Sequence, residues 1–281
     1  MEPGEATATA ARHPRGAWEH LQTRWPEYLI EAALLGLFMA SACSFGVILF
    51  HPDSAMVAAV PNPALRRMLM GLAMGSTAAA LIYSPWGKQS GAHFNPAVTI
   101  TFFRLGKVAP WDAVFYPIFQ FCGGVLGVLA VAAVLRQSLA DPEVNFVVTV
   151  PGRWGVWPAF AAEIIISCVL MLTILIVTNS RLSTKAGLFG ACLVATYITL
   201  ESPISGMSMN PARTVASAAV AGVWTSAWIY FIAPLLGMLA AAQLYLSFSR
   251  RGVGCAKWHH DNNKRCIFCA FQQSQQPRAA A

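Results

Sequence analysis

Two stretches of this sequence decide its fold, SGAHFNPAVT at residues 90–99 and SGMSMNPAR at residues 205–213. In each stretch Asn is a strong helix N-cap, Pro suits the first helical position and Ala propagates the helix. The apolar runs that they open, at 95–103 and 210–222, are too short to cross a bilayer, because a spanning helix needs about 20 apolar residues. Both runs are also too apolar for ordinary loops, so each stretch predicts a half-length helix.

The composition places the chain in a membrane. Of its 281 residues, 56% are hydrophobic and 11% are charged, whereas an average soluble domain has about 25% charged residues. The mean hydropathy is +0.54. A soluble fold is therefore excluded. The net charge of +7 comes from Lys and Arg residues scattered along the chain, so nucleic acid is not an expected partner.

Six further apolar runs are long enough to cross the bilayer. They lie at residues 28–50, 64–84, 111–135, 157–179, 186–203 and 224–247. Residues 1–27 are predicted to form a polar N-terminal tail, and residues 249–281 a polar, basic C-terminal tail. An even number of spans puts both tails on one side. The excess of Lys and Arg in the tails and in the loops on that side identifies it as the cytoplasm.

Residues 28–248 consist of two copies of one unit, the first at about 28–135 and the second at about 157–248. Each copy has a span with an acidic residue (Glu31 or Glu163), a second span, the short Asn-Pro-Ala segment and a third span. Since three is an odd number of spans, the second copy must be inverted across the membrane. The predicted fold is all-α, with six transmembrane helices and two re-entrant half-helices in an inverted repeat.

The two motifs resemble those of the aquaporin (major intrinsic protein) family, Ser-Gly-x-His-x-Asn-Pro-Ala-Val-Thr and then Gly-x-x-x-Asn-Pro-Ala-Arg. The resemblance covers residues from about 28 to 248. It implies six tilted helices and two half-helices that meet N-terminus to N-terminus at the bilayer centre. It also implies a homotetramer with one pore per subunit, in the plasma or inner membrane.

The resemblance assigns the middle of the pore to the two motifs, that is to Asn95, Pro96, Ala97, Asn210, Pro211 and Ala212. Two facing helix N-termini create a positive potential, and each Asn amide has N–H donors to offer a passing water. A water that is bonded to both amides does not keep an unbroken chain of donors to its neighbours. A proton or cation also meets the dipoles as a barrier, whereas a neutral solute does not.

Arg213 follows the second motif directly, and a cation inside the membrane is costly enough to be a functional candidate. In the family this Arg belongs to a narrow outer filter. The other filter positions fall by spacing on Met207, Ile198 and Gly75, with Met74 as the alternative to Gly75. The filter lacks the His and the aromatic residue of strict water channels at Ile198 and Gly75, which predicts a wider and more apolar constriction.

The substrate stays open between water and larger neutral solutes. An apolar wall with one Arg suits glycerol-sized solutes. In contrast, Thr214 stands where glycerol facilitators carry Asp, and Ala218 and Tyr230-Phe231 match positions of water channels. The predicted function is a passive channel for water that excludes protons and ions. The alternative is a facilitator of glycerol or another small uncharged solute.

The sequence offers no catalytic set, so an enzyme is not expected. Glu31 and Glu163 are predicted to accept hydrogen bonds from the re-entrant segments and to orient them, and the alternative is that these acids carry protons. His93 and Gln120 are assigned the same supporting role.

The C-terminal tail contains a group of potential metal ligands within fifteen residues, namely Cys255, His259, His260, Cys266 and Cys269. In a reducing cytoplasm such a group is a candidate zinc or iron site, and four Cys and His ligands suit tetrahedral zinc. The alternative is a loose basic tail with incidental thiols. A third functional hypothesis follows, a metal- or redox-sensing membrane protein whose tail gates the pore or recruits a partner.

Overall fold

The computed structural model describes residues 16–249 and 252–275. The rest of the two predicted tails, at 1–15, 250–251 and 276–281, lies outside the described residues. All regular structure in the described part of the chain is helical.

Nine helices of nine or more residues organise the described residues, and they are numbered here in chain order. They are α1 (Ala17–Phe50), α2 (Pro63–Tyr83), α3 (Pro96–Arg104), α4 (Pro110–Leu135), α5 (Val156–Thr178), α6 (Ala186–Leu200), α7 (Pro211–Ala221), α8 (Ile229–Phe248) and α9 (Ile267–Gln275). Short helical turns connect them, at Ala55–Ala59, Pro85–Ser90, Gln137–Ala140, Asn145–Val147, Ser183–Lys185 and Ser202–Ser205.

The long helices pack in pairs that follow the predicted inverted repeat. Helix α1 packs along α4 within the first repeat, α5 packs along α8 within the second, and α2 packs along α6 between the repeats. Each half-helix packs on a long helix of the other repeat. Helix α7 of the second repeat packs on α4, and helix α3 of the first repeat packs on α8. The two repeats are therefore interlocked.

Five helices of the described chain are long and apolar enough to cross a membrane by length and composition: α1, α4, α5, α6 with the turn before it, and α8. Helix α2 is also long, with 21 residues, but Arg66, Arg67 and several small residues lower its apolar character. It packs against α1 and α6, so its place in the bundle comes from neighbouring helices as well as from its own hydrophobicity.

Helix α1 begins at Ala17, so the predicted boundary of the N-terminal tail at residue 27 lies too far along the chain. Within residues 17–27, Arg24 and Glu27 are buried, and each has an ionic partner. Arg24 forms an ion pair with Asp112 of α4, and the Tyr28 hydroxyl donates to the other oxygen of the same carboxylate (2.7 Å). Residues 17–27 thus extend the first span instead of forming a free tail.

Close helix crossings depend on glycine. A Cβ atom on Gly127 would lie 2.2 Å from the backbone oxygen of Gly36, and one on Gly123 would lie 2.1 Å from that of Ala32. Such small residues allow membrane helices to approach backbone to backbone. The crossing of α1 and α4 leaves no room for a methyl group at either position.

We expect Gly127→Ala to destabilise the purified protein by about 1–3 kcal/mol, the usual cost of overpacking. Thermal unfolding in detergent measures the effect. Gly252→Ala is the matched control, since nothing lies within 4 Å of a Cβ atom there. Equal stability of the two variants would contradict the close crossing of α1 and α4.

Candidate functional site

A cavity of about 320 Å³ lies between the helices, at the point where the N-termini of α3 and α7 meet. Helix α2 contributes one lengthwise face to its wall, formed by Arg67, Met70, Met74, Ala78 and Ile82. The spacing of three and four residues is that of one side of a helix. Because Arg67 lies near the start of α2 and Ile82 near its end, the cavity follows the long axis of the bundle.

The two motif asparagines lie in the cavity wall and brace each other's loops. The Oδ1 atoms of Asn95 and Asn210 cap their own helices by accepting from the N–H groups of Ala97 (2.9 Å) and Ala212 (3.0 Å). The Nδ2 atom of Asn95 donates to the backbone oxygen of Met209 (2.7 Å), and that of Asn210 donates to Phe94 (2.8 Å). An amide has two N–H donors, so one donor of each Asn is left for another partner.

The loops before the half-helices have a strained backbone with the same pattern in both repeats. Three positions in each loop are left-handed. In the first loop φ is +103° at Gly91, +57° at Ala92 and +28° at Phe94. In the second loop φ is +80° at Gly206, +49° at Met207 and +54° at Met209. Left-handed conformations are unfavourable for residues other than Gly and persist only where surrounding contacts hold them.

Glu31 supplies those contacts in the first repeat. Its carboxylate accepts from the Ser90 hydroxyl (2.7 Å), from the backbone N–H groups of His93 (3.0 Å) and Phe94 (2.6 Å), and from the Gln120 side chain (2.7 Å). With four donors on its two oxygens, the buried carboxylate is well satisfied.

Glu163 has the equivalent place in the second repeat. It accepts from the Ser205 hydroxyl (2.8 Å) and from the N–H groups of Ser208 (2.7 Å) and Met209 (2.8 Å). Like Glu31, it is fully buried and does not line the cavity. The surroundings of both acids favour the orienting role over proton transfer.

His93 connects the first loop to the C-terminal tail. Its Nε2 atom lies 2.6 Å from the backbone oxygen of Ala256, and its Nδ1 atom lies 3.0 Å from the Thr99 hydroxyl. A carbonyl oxygen only accepts, so Nε2 carries the proton. The ring is stacked between Phe102 and Phe268, with centroid distances of 5.4 and 5.3 Å. Only the backbone of His93 bonds to Glu31.

Three of the four predicted filter residues, Ile198, Met207 and Arg213, line the cavity. Gly75 does not, because it faces α6, where a Cβ atom would lie 2.7 Å from the backbone oxygen of Ala191. Met74, the preceding residue, lines the cavity instead. The Nη1 atom of Arg213 is buried and has no hydrogen-bond partner among the described residues.

The tail contributes a residue to the cavity that no sequence motif indicates. Trp258 lines the cavity at the end where α2 finishes, which we call the tail-side mouth, and it is 5% exposed. The Trp258 ring packs so closely on Gly190 that a Cβ atom there would lie 2.4 Å from it. The backbone N–H of Trp258 donates to the Gly91 oxygen (3.2 Å). The signal was present in the sequence as a large apolar residue between potential metal ligands in a polar tail.

Residues 252–275 of the tail pack against the helical bundle. Phe268 is fully buried against His93, and Lys257 donates from Nζ to the backbone oxygens of Lys88 (2.9 Å) and Arg265 (2.8 Å). Arg265 binds the carboxylate of Glu27 through Nε (2.8 Å) and Nη2 (2.6 Å). This part of the tail is therefore docked at the tail-side mouth.

Four of the five predicted metal ligands come together in the tail. The ligand atoms of Cys255, His260, Cys266 and Cys269 all lie within 4.8 Å of one another. His259 is not among them, because its ring packs edge-on against Tyr83 at 5.4 Å. The hydrogen bond between the two thiols lowers the pKa of Cys266 and raises the pKa of Cys255, so Cys266 is the thiol of this pair that ionises first.

We expect Glu163→Gln to lower the thermal stability of the purified protein. A Gln side chain turns an N–H group toward donors of the loop, and each buried donor left unpaired costs about 1–3 kcal/mol. Thermal unfolding in detergent is the measurement, with Glu143→Gln at an exposed position as the control. A shift no larger than that of the control would contradict the role of Glu163 in holding the loop.

Comparison with known proteins adds independent evidence. The major intrinsic protein family model matches residues 22–245. The chain is 39% identical over 162 residues to a probable aquaporin NIP-type from Nicotiana alata, and the match covers 57% of this chain and 58% of that protein. It is 29% identical over 231 residues to aquaporin Z from Photorhabdus laumondii subsp. laumondii, covering 77% of this chain and 95% of that protein.

The match to the plant protein thus spans less than two thirds of that relative's length. Among solved structures, the X-ray structure of the aquaglyceroporin from Plasmodium falciparum superposes with a TM-score of 0.62 at 20% identity, covering 79% of this chain and 95% of that one. At this identity the likeness concerns the fold alone. Because the family model matches most of the chain, the multi-pass membrane protein described here belongs to the major intrinsic protein family.

Proposed function

We propose that this chain forms a passive transmembrane pore that conducts water and excludes protons and ions. The observation that carries the proposal is the pair of asparagine side chains in the cavity wall, each with one amide donor committed to the opposite loop. The second donor of each Asn is then available to a water in the cavity. A water held by both amides is oriented by them.

Charge exclusion has two sources in this cavity. The N-termini of α3 and α7 meet at the asparagines, and helix N-termini carry a partial positive charge. The guanidinium of Arg213 adds a full positive charge to the same cavity. Both repel cations and leave neutral molecules unaffected, as in other selective pores.

Glycerol-sized neutral solutes are the second candidate substrate. The filter residues beside Arg213 are Met74, Ile198 and Met207, all of them apolar and without a side-chain donor. Such a wall favours a solute with an apolar carbon face over one that needs many hydrogen bonds. Water remains the first candidate because the two asparagine donors suit a small hydrogen-bonding molecule.

The orientation and the assembly are inferred from the sequence. The excess of Lys and Arg in the tails supports a cytoplasmic location for both termini, so that the tail-side mouth opens to the cytoplasm of a cell with this chain in its plasma or inner membrane. We also propose a homotetramer with one pore in each subunit, and membership of the family supports this assembly.

Stopped-flow light scattering on proteoliposomes tests the substrate. Because Trp258 stands in the tail-side mouth, Trp258→Ala is measured beside the unchanged chain, and empty liposomes give the background. For the Trp258→Ala chain we expect fast shrinkage in an osmotic gradient of an impermeant solute and slow entry of glycerol. Glycerol entry as fast as water flux would replace the first candidate by the second, and background rates for both solutes would refute the pore.

Arg213→Val, made in the Trp258→Ala chain, should relax selectivity without stopping water flux. We expect glycerol permeability to rise roughly tenfold, the change that corresponds to about 1.4 kcal/mol of lost discrimination. Proton leak, followed with a pH-sensitive dye inside the vesicles, should rise as well. Arg153→Val is the matched control, since Arg153 is exposed and lies over the ring of Trp154. Unchanged selectivity would contradict a filter role for Arg213.

A further inference from the structure

We propose that Cys255, His260, Cys266 and Cys269 bind one zinc ion, and that this ion holds Trp258 in the tail-side mouth and so closes the pore. The zinc site stands on its own geometry. The closing effect rests on the proposed function, because it regulates the same pore.

Two sulfur–sulfur distances in the cluster are close to those of a tetrahedral zinc site. The Sγ atom of Cys255 lies 3.5 Å from that of Cys266 and 3.8 Å from that of Cys269. A tetrahedral zinc ion with Zn–S bonds of about 2.3 Å holds its sulfur ligands about 3.8 Å apart. The fourth ligand is His260, whose Nε2 atom lies 3.0 Å from the Cys269 sulfur.

The chemistry of the set selects zinc. Three thiolates and one imidazole form one of the standard four-ligand combinations of structural zinc sites, and soft sulfur ligands disfavour magnesium and calcium. The three cysteines are half-buried, whereas His260 is exposed, so the ion reaches the site from the solvent on the tail side. A disulfide is a different state, since its sulfurs lie about 2.05 Å apart.

The order of the ligands along the chain connects the ion to Trp258. Cys255 and His260 stand on either side of Trp258, so an ion bound by both closes the loop 255–260 around it. Cys266 and Cys269 lie at the start of α9, so the same ion ties this loop to that helix. Helix α9 is itself fixed to the bundle by the stacking of Phe268 on His93.

The position of Trp258 needs such support. Its indole ring lies against Gly190 of α6 and borders the cavity, so the ring occupies space at the mouth. The Nε1 atom is buried and has no hydrogen-bond partner among the described residues. A buried donor without a partner is unfavourable, so the ring is held there by the rest of the tail. The zinc ion is the removable part of that support.

The first experiment measures zinc in the full-length protein purified in detergent without added chelator. Elemental analysis should give one zinc per chain. Cys266→Ser/Cys269→Ser should lose it, while Cys122→Ser, at an exposed position of α4, should keep it. His259→Ala should also keep it, because this ring lies outside the cluster.

The His260→Cys variant is the control that separates loss of a zinc ligand from loss of zinc through misfolding. It supplies a thiolate in place of the imidazole and should retain one zinc, whereas His260→Ala should bind it less tightly in competition with a chelator. An unchanged chain without zinc, zinc retained by the double variant, or a disulfide between these cysteines in the unchanged chain would overturn the site.

The second experiment tests the closing effect by water flux in proteoliposomes. The unchanged chain, stripped of zinc with a chelator before reconstitution, should conduct water several-fold faster than the zinc-loaded chain. Trp258→Ala should bind one zinc and conduct fast in both states. Fast flux of Trp258→Ala with no zinc response of the unchanged chain would refute the gate and leave the pore intact. Background flux in every sample would refute the pore and the gate with it, whereas the zinc content would still decide the metal site.

Discussion

The structure depends on two buried carboxylates that hold strained loops inside the membrane. A re-entrant segment exposes backbone N–H groups at a depth where no bulk water satisfies them, and such backbone is tolerated only when the protein supplies the partners. Glu31 and Glu163 supply them, each to two consecutive N–H groups and a serine hydroxyl of the loop that precedes its half-helix. With the loops fixed, the half-helices begin at defined positions, and the asparagines reach the cavity wall.

Much of this frame could be predicted from residue patterns, because it depends on local chemistry. The Asn-Pro-Ala segments specify helix starts, and the pair of acids in equivalent spans specifies acceptors. The α2 residue of the predicted filter is harder to assign from sequence alone. Adjacent residues of a helix point in directions about 100° apart, so an error of one residue moves the assignment from the cavity wall to a helix contact. Spacing predicts Gly75 for this position, whereas Met74 lines the cavity and Gly75 contacts α6.

Ion pairs between residues far apart in the chain could not be predicted from the sequence. Nothing near Arg24 in the sequence indicates that its partner is Asp112, or that Glu27 meets Arg265 from the other end of the chain. Without the partners, these residues have the polarity of a free tail, and α1 was therefore expected to start later than it does. The entry of Trp258 into the cavity has the same cause. Side-chain types are local information, while docking of a tail is decided by the surface that it meets.

The exchange of hydrogen bonds between the two motif loops has a consequence for biosynthesis. Asn95 donates to a backbone oxygen of the second repeat, and Asn210 donates to one of the first. Helix α3 also packs on α8, the last span to be synthesised. When the first repeat leaves the ribosome, its re-entrant segment therefore lacks part of its packing surface and the acceptor of the Asn95 side chain. The first half-helix reaches its final depth only after the last span is inserted, so maturation of the pore is a late, post-insertion step of the whole chain.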